Sequence, residues 1–151
     1  MSSRVNLRLR LVLYLGDIVE RQAEAFYRDL AEHSPDTDIR RLCRKTAEEE
    51  QGHRILIQKK LSRFEPFPLI QMELDILDIG KEYRTLFLSP PDLNAGLKQT
   101  IEYILDQEKR MEALYTGFLS DFATAADLRP LIELPKQEGH HLEKWQKLRD
   151  R

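Results

Sequence analysis

The feature that most constrains how this chain can fold is a pattern of glutamate and histidine that occurs twice. In each half of the 151-residue sequence a glutamate stands three residues before a histidine, and another glutamate stands thirty residues before the first. The two copies, offset by 88 residues, are Glu20, Glu50 and His53, and Glu108, Glu138 and His141. Their flanks match as well, since "ERQAEAFY" begins one copy and "EKRMEALY" the other. The repeat predicts two structurally equivalent halves.

Apolar residues with a helical period predict an all-α protein. The first predicted helix places these apolar residues on one face: Leu15, Ile18, Val19, Ala23, Phe26, Tyr27 and Leu30. In a single domain covering 1–151, we predict helices at about 9–33, 36–61, 93–122 and 127–149, with an irregular crossover at 62–92. Asp36 or Asp38 is the expected N-cap of the second helix, and a short helix is an option for "LIQMELDILDIGKEY" in the crossover. A long crossover between helices 2 and 3 is typical of ferritin-like four-helix bundles.

The spacing of the repeat predicts where its side chains meet. Positions three apart lie on one face of a helix, so each glutamate–histidine pair can address one point in space. The midpoint between Glu20 and Glu50 is Pro35, in a predicted turn, and the second half has its midpoint at Ala123. Residues equidistant from the turn of an antiparallel helix pair lie at the same depth. Each half is therefore expected to bring two glutamates and one histidine to one level of the bundle.

Four carboxylates and two imidazoles facing inward favour a pair of iron or manganese ions. Carboxylates are hard ligands and imidazoles borderline ones, which suits both metals, and bridging glutamates can hold two cations close together. The same ligand set is known from carboxylate-bridged di-metal helical bundles.

Composition excludes several other classes of function. The formal net charge is −2, with 24 Lys and Arg against 26 Asp and Glu, so the basic surplus of a protein that binds nucleic acid or an acidic membrane is absent. Cys43 is the only cysteine, which excludes internal disulfides, four-cysteine zinc sites and iron–sulfur clusters within this sequence. We expect a cytoplasmic protein, with the N-terminal "MSSRVNLRLRLVLYLG" belonging to the mature chain.

Other conspicuous residues have ordinary structural interpretations. Glu48 and Glu49 are predicted to face solvent, and Glu24 and Glu112 to form surface salt bridges with nearby Arg or Lys. His33 and His140 lack a glutamate three residues before them and are interpreted as ordinary residues. For Glu24 and Glu112, support of a metal ligand is an alternative. Tyr27 and Tyr115 are predicted to be core residues, and a hydrogen bond to a metal ligand is the alternative. Cys43 is interpreted as a small buried hydrophobe.

Four segments resemble the helix signatures of the rubrerythrin and ferritin-like diiron family. They are "VERQAEAFYRDLA", "AEEEQGHRIL", "DQEKRMEALYTGFL" and "KQEGHHLEKW". The resemblance covers most of the chain and implies metal-ligand roles for Glu20, Glu50, His53, Glu108, Glu138 and His141. It implies two iron ions bridged by Glu50 and Glu138, with manganese as an alternative and zinc as an occupant in crystals. The activity it implies is that of an oxidoreductase reacting with O2 or H2O2, as a peroxidase, ferroxidase or hydroxylase.

The chain departs from rubrerythrins at three points. It lacks the four cysteines of a rubredoxin module, so electrons are expected from an external donor or from Fe(II) itself. Met111 stands where rubrerythrins carry a further glutamate, so the family's redox-linked iron shift is not implied. Pro130 is interpreted as a helix start, whereas Pro135 would remove a backbone hydrogen bond one turn from Glu138 and predicts a kink near the second half-site. The alternative function is a non-enzymatic iron-handling protein or helical interaction module with a partial site. By resemblance, the expected assembly is a homodimer or small homo-oligomer.

Overall fold

Four helices make up the fold. The computed structural model describes residues 3–63, 81, 83–92, 94–119 and 133–151, and for 3–8, 118 and 119 it describes the backbone alone. The helices are α1 (Ser3–His33), α2 (Thr37–Leu61), α3 (Leu97–Leu119) and α4 (Leu134–Arg149). The described residues contain no strand. The predicted all-α class is confirmed, and the architecture is that of a ferritin-like bundle.

The helices pack as two pairs. α1 lies along α2, α3 lies along α4, and α1 also contacts α3. The link between α1 and α2 is short because Asp36 starts a new helix at once: its Oδ1 accepts a hydrogen bond of 2.9 Å from the backbone N–H of Ile39. This is the predicted N-cap, and it satisfies one of the free N–H groups of the first turn. The pairing follows the two halves of the sequence repeat.

The observed helix boundaries differ from the predicted ones at two points. α1 begins at Ser3 rather than at residue 9, so the segment "VNLRLRLVLYL", whose apolar residues alternate for a few positions, is helical. Within it Leu11, Val12 and Leu13 are all buried. α3 begins at Leu97 rather than at residue 93, directly after Gly96, whose φ of 97° is a conformation that L side chains rarely adopt. The optional crossover helix falls almost entirely outside the described residues. The predicted end of helix 3 and start of helix 4 also lie outside them.

Pro135 does not kink the second half-site. α4 begins at Leu134, so Pro135 lies in the first helical turn, where a backbone N–H has no partner within the helix. Glu138 and His141 therefore lie on one uninterrupted helix, and the interruption predicted from the prolines is wrong for Pro135. Pro130 lies outside the described residues.

Large buried side chains form the core around the middle of the bundle. Fully buried examples from the four helices are Tyr27, Ile57, Met111, Tyr115 and Trp145. None of the helices in the described part of the chain combines the length and apolarity needed to cross a lipid bilayer.

The segment after residue 83 closes over α1 and α3 through polar contacts. The side-chain amide of Gln22 donates to the carbonyl oxygens of Arg84 at 3.0 Å and Leu86 at 2.7 Å. The N–H of Phe87 donates to Oε1 of Gln107 at 2.8 Å. These bonds hold Phe87 at a φ of 64°, where its ring packs 5.4 Å from the ring of Phe26. This part of the crossover is thus a cover for the core.

Candidate metal centre

Six buried side chains from all four helices converge inside the bundle. They form two overlapping sets whose potential ligand atoms lie within 4.8 Å of one another. One set is Glu20, Glu50, His53 and Glu138; the other is Glu50, Glu108, Glu138 and His141. The structure therefore brings together every residue of the sequence repeat. Both sets share Glu50 and Glu138.

The two shared glutamates lie between the two imidazoles. Oε1 of Glu50 is 2.9 Å from Nδ1 of His141, and its Oε2 is 3.7 Å from Nδ1 of His53. Oε1 of Glu138 is 3.1 Å from Nδ1 of His53, and its Oε2 is 3.3 Å from Nδ1 of His141. Each shared carboxylate thus directs one oxygen toward each histidine. The imidazole rings are nearly parallel, with centroids 5.8 Å apart.

The two unshared glutamates are each held by a tyrosine from the opposite half of the chain. The hydroxyl of Tyr115 donates to Oε1 of Glu20 at 2.7 Å, and that of Tyr27 donates to Oε1 of Glu108. Both side chains are buried in the core, as predicted, and the alternative, a hydrogen bond to a candidate metal ligand, is observed as well. The bonds fix the orientation of each carboxylate and leave its other oxygen facing the centre.

The outer nitrogen of each histidine also has a partner. Nε2 of His53 lies 2.5 Å from Oε1 of Gln137, and Nε2 of His141 contacts Oε2 of Glu49. The expected surface position of Glu49 is therefore wrong, because its side chain is only 33% exposed and reaches across to α4. A signal was present in the sequence: Glu49 and Gln137 are 88 residues apart, so they are equivalent positions of the repeat. The neighbouring Glu48 is exposed, as predicted.

Within the described part of the chain, the atoms that face the centre have no hydrogen-bond partner outside the cluster itself. They are Oε2 of Glu20 and of Glu108, both carboxylate oxygens of Glu50 and of Glu138, and Nδ1 of His53 and of His141. Leaving buried carboxylate and imidazole atoms without hydrogen bonds is costly, unless a cation satisfies them. Two divalent cations would also neutralise the four carboxylates. The donor set therefore fits a pair of hard or borderline metal ions.

Burial and mutual contacts divide the carboxyl groups into two kinds. Burial, reinforced by the charge of Glu50, raises the pKa of Glu20 well above its usual value. Burial and the neighbouring Glu138 raise the pKa of Glu108 to about 8. For Glu50 burial acts in the same direction, but contacts with Glu20 and with the imidazoles outweigh it and lower the pKa. Burial also acts to raise the pKa of Glu138, but its contacts with the histidines outweigh burial and lower it. The pKa values of the two shared glutamates are thus lowered, and those of the two unshared glutamates are raised.

The surrounding carboxylates favour the protonated form of both histidines. Burial alone would lower their pKa values, but the surrounding carboxylates outweigh it and raise the pKa of both His53 and His141. Contact with His141 lowers the pKa of Glu49 to about 2. Without metal the centre therefore favours the protonated forms of Glu20, Glu108 and both imidazoles. A metal ion entering it must displace protons.

The remaining conspicuous residues match their ordinary interpretations, except for the position of Glu24. It forms the expected ion pairs, with Arg28 at 2.9 Å and Arg54 at 3.2 Å. Its predicted surface position is wrong, because α2 packs along α1 there and leaves Glu24 only 8% exposed. His33 and His140 are exposed, and Cys43 is fully buried.

A groove of about 570 Å³ opens between α2 and α4 and reaches the edge of the centre. Its lining consists of Glu49, Gly52, His53, Leu56, Gln137, His140 and Lys144. A Cβ added at Gly52 would meet none of the described atoms within 4 Å. In the described part of the chain, the groove connects solvent to His53.

The fold and the centre together define a class of protein, the ferritin-like bundles with a buried carboxylate and histidine cluster. The family model described as Rubrerythrin matches residues 13–149, nearly the whole chain. This protein belongs to the rubrerythrin family. No curated protein and no solved structure gives a significant match. Membership implies binding of a metal such as iron, and the buried clusters fit a diiron-binding protein.

Proposed function

We propose that this protein binds two iron ions and acts as an oxidoreductase on O2 or H2O2, as a peroxidase or ferroxidase. The observation that supports it best is the placement of Glu50 and Glu138, each with one oxygen toward His53 and one toward His141. A carboxylate so placed can bridge two cations, and a carboxylate-rich centre with one imidazole per position suits iron.

The ligand assignment follows the two overlapping sets. Glu20 and His53 would hold one ion, Glu108 and His141 would hold the other, and the two shared glutamates would bridge them. Manganese has similar ligand preferences and is the alternative metal. Bound iron would supply the two electrons needed to reduce O2 or H2O2.

The protein's own side chains would position the ligands and exclude water. Tyr27 and Tyr115 hold the unshared glutamates, so little reorganisation is needed when the centre is filled. Ala23, Ile104 and Met111 are fully buried in the surrounding core. Apolar walls of this kind restrict access to small reactants and limit side reactions. The groove beside His53 is the proposed route for the oxidant.

The reducing equivalents would come from outside the centre. A separate donor protein or further Fe(II) would supply them.

We also propose that the protein is cytoplasmic and acts as a homodimer or small homo-oligomer. Sizing chromatography combined with light scattering tests the assembly.

Met111 favours a second candidate function. It is a fully buried apolar side chain at the position where rubrerythrins carry a further glutamate. A centre without that carboxylate could hold iron without an efficient peroxidase cycle. The second candidate is thus an iron-handling protein that binds the metal and does not turn over an oxidant.

Metal stoichiometry after anaerobic loading with Fe(II) and desalting is the first experiment. Two ions per chain support the ligand assignment; one or fewer contradicts it. Glu50→Ala should reduce the content below two and abolish oxidant consumption. Glu48→Ala changes the exposed neighbouring glutamate and should retain both. Two bound ions without consumption of O2 or H2O2 would select the iron-handling function.

A further inference from the structure

The two halves of the centre differ in the charge of one contact. Glu49 and Gln137 occupy equivalent positions of the repeat, each immediately before a shared glutamate. Each reaches across to the histidine of the other half, Glu49 to His141 and Gln137 to His53. The acceptor is therefore a carboxylate at one histidine and a neutral amide at the other. The other equivalent pairs that form the centre, the candidate ligands and the two tyrosines, are identical in type.

This difference acts on the nitrogen that faces the centre. A carboxylate can only accept a hydrogen bond, so Nε2 of His141 carries the proton and Nδ1 is the nitrogen directed inward. A charged acceptor polarises the imidazole more strongly than an amide does, which makes Nδ1 a better donor to a cation. The amide oxygen of Gln137 orients His53 in the same way with a weaker effect.

The environment of Glu49 supports a defined position for its carboxylate. Its Oε2 contacts His141, and its Oε1 lies 3.5 Å from Nζ of Lys144. The side chain is two-thirds covered, whereas Gln137 is exposed at the groove. Glu49 is thus held from both sides, and its contact with His141 is built into the packing of α2 against α4.

We propose that the two metal positions are inequivalent and that Glu49 makes the position of Glu108 and His141 the tighter one. Glu49 and Gln137 are positioning residues, which act through the histidines and touch no metal themselves. The inference rests on the proposed two-metal function, and it adds an order of filling: the ion at His141 binds first and the ion at His53 second.

The test is a titration of the metal-free chain with Co²⁺ in the presence of a competing chelator, in which visible absorption measures binding. Hyperfine-shifted proton signals of the two histidines identify which position fills. In the wild type the His141 signals should shift first. Glu49→Gln keeps a hydrogen-bond acceptor and removes its charge, so binding at His141 should weaken by about 10–100-fold, the usual effect of such an outer contact. Gln137→Glu should strengthen binding at His53.

The double variant Glu49→Gln with Gln137→Glu is the decisive control. It exchanges the two contacts at constant total charge, and the order of filling should reverse. Repulsion between the ions can itself separate two binding steps, but it cannot reverse their order. The thermal midpoint of each metal-free variant reports whether the fold is retained.

Three results would overturn the inference. Equal weakening of both positions by Glu49→Gln would show a structural or general electrostatic effect. An unchanged order in the double variant would show that the order does not depend on these contacts. Two ions bound with the His53 signals shifting first would contradict the assignment but leave the di-metal function intact. Failure of the wild type to take up two Co²⁺ ions would instead count against the proposed function itself.

Discussion

Tyr115 in α3 donates a hydrogen bond of 2.7 Å to Glu20 in α1, and the equivalent Tyr27 in α1 donates to Glu108 in α3. Each half of the repeat thus orients a glutamate of the other half. The exchange ties α1 to α3 at the level of the centre. It also explains why Tyr is retained in both copies of the motif, where a phenylalanine would fill the same volume.

Removing one of these hydroxyls should destabilise the protein. Tyr115→Phe leaves Oε1 of the fully buried Glu20 without its donor, and a buried acceptor without a partner costs about 1–3 kcal/mol of unfolding free energy. Urea denaturation of the metal-free chain measures the loss. Tyr14→Phe, at a half-buried tyrosine of α1, is the matched control and should change stability by less than about 0.5 kcal/mol. Equal losses in both variants would argue against a special role of the Tyr115 hydroxyl.

Metal should raise the stability of the chain, and its removal should lower it. The partnerless buried oxygens and nitrogens of the centre gain ligand bonds only in the folded state. A metal at 100 times its dissociation constant therefore adds about 2.7 kcal/mol. Thermal unfolding with and without Fe(II) under anaerobic conditions measures this, and Glu138→Ala should lose most of the shift. A midpoint that does not respond to metal would indicate a vestigial centre.

Gly16 should respond to substitution differently from a glycine on the helix surface. A Cβ at Gly16 would lie 3.1 Å from both the Tyr115 hydroxyl and Cδ1 of Ile57, whereas one at Gly117 would meet no atom of the described residues within 4 Å. Gly117→Ala should therefore gain up to about 1 kcal/mol from helix propensity. In Gly16→Ala crowding of the Tyr115 hydroxyl should offset that gain. Urea denaturation compares the two, and an equal gain in both would show that α1 and α3 are not in close contact there.

Cys43 should be unreactive in the folded chain. Burial raises the pKa of its thiol to about 12 from the ordinary value of 9, so the reactive thiolate is scarce at pH 8. Labelling with a thiol reagent should require unfolding, which mass spectrometry in increasing urea can follow. The raised pKa also means that this thiol favours the folded state below pH 9, and that its contribution is lost as the pH rises toward 12. Rapid labelling of the native chain at pH 8 would contradict the burial.

Obstruction of the groove between α2 and α4 should slow metal uptake. Gly52→Leu places a side chain in the groove at a position where an added Cβ meets none of the described atoms within 4 Å. Stopped-flow absorption with Co²⁺ should show slower binding with the same final stoichiometry. Gly117→Leu, on the surface of α3 and outside the groove lining, should bind at the wild-type rate. An equal rate in both variants would mean that metal enters elsewhere.

Helix class and the composition of the centre could be predicted from local spacing. A glutamate three residues before a histidine lies on the same helix face, whatever the rest of the chain does. The thirty-residue spacing places another glutamate at the same depth on the antiparallel neighbouring helix. The position of Pro135 shows where such reasoning fails. Whether a proline interrupts a helix or starts it depends on where the helix begins. Because α4 begins at Leu134, Pro135 lies in the first turn and does not interrupt the helix.

The sequence by itself determined that the chain is helical and duplicated, and which six side chains are candidates for the centre. Only the tertiary structure decided which other residues support them. Glu49 and Glu48 are adjacent and chemically identical, yet one contacts His141 and the other is exposed. Likewise Tyr115 and Glu20 meet across 95 residues of chain. Such contacts depend on how each helix is rotated and how deeply it packs against its neighbour. The packing of the whole core sets these quantities, because local spacing along one helix does not contain them.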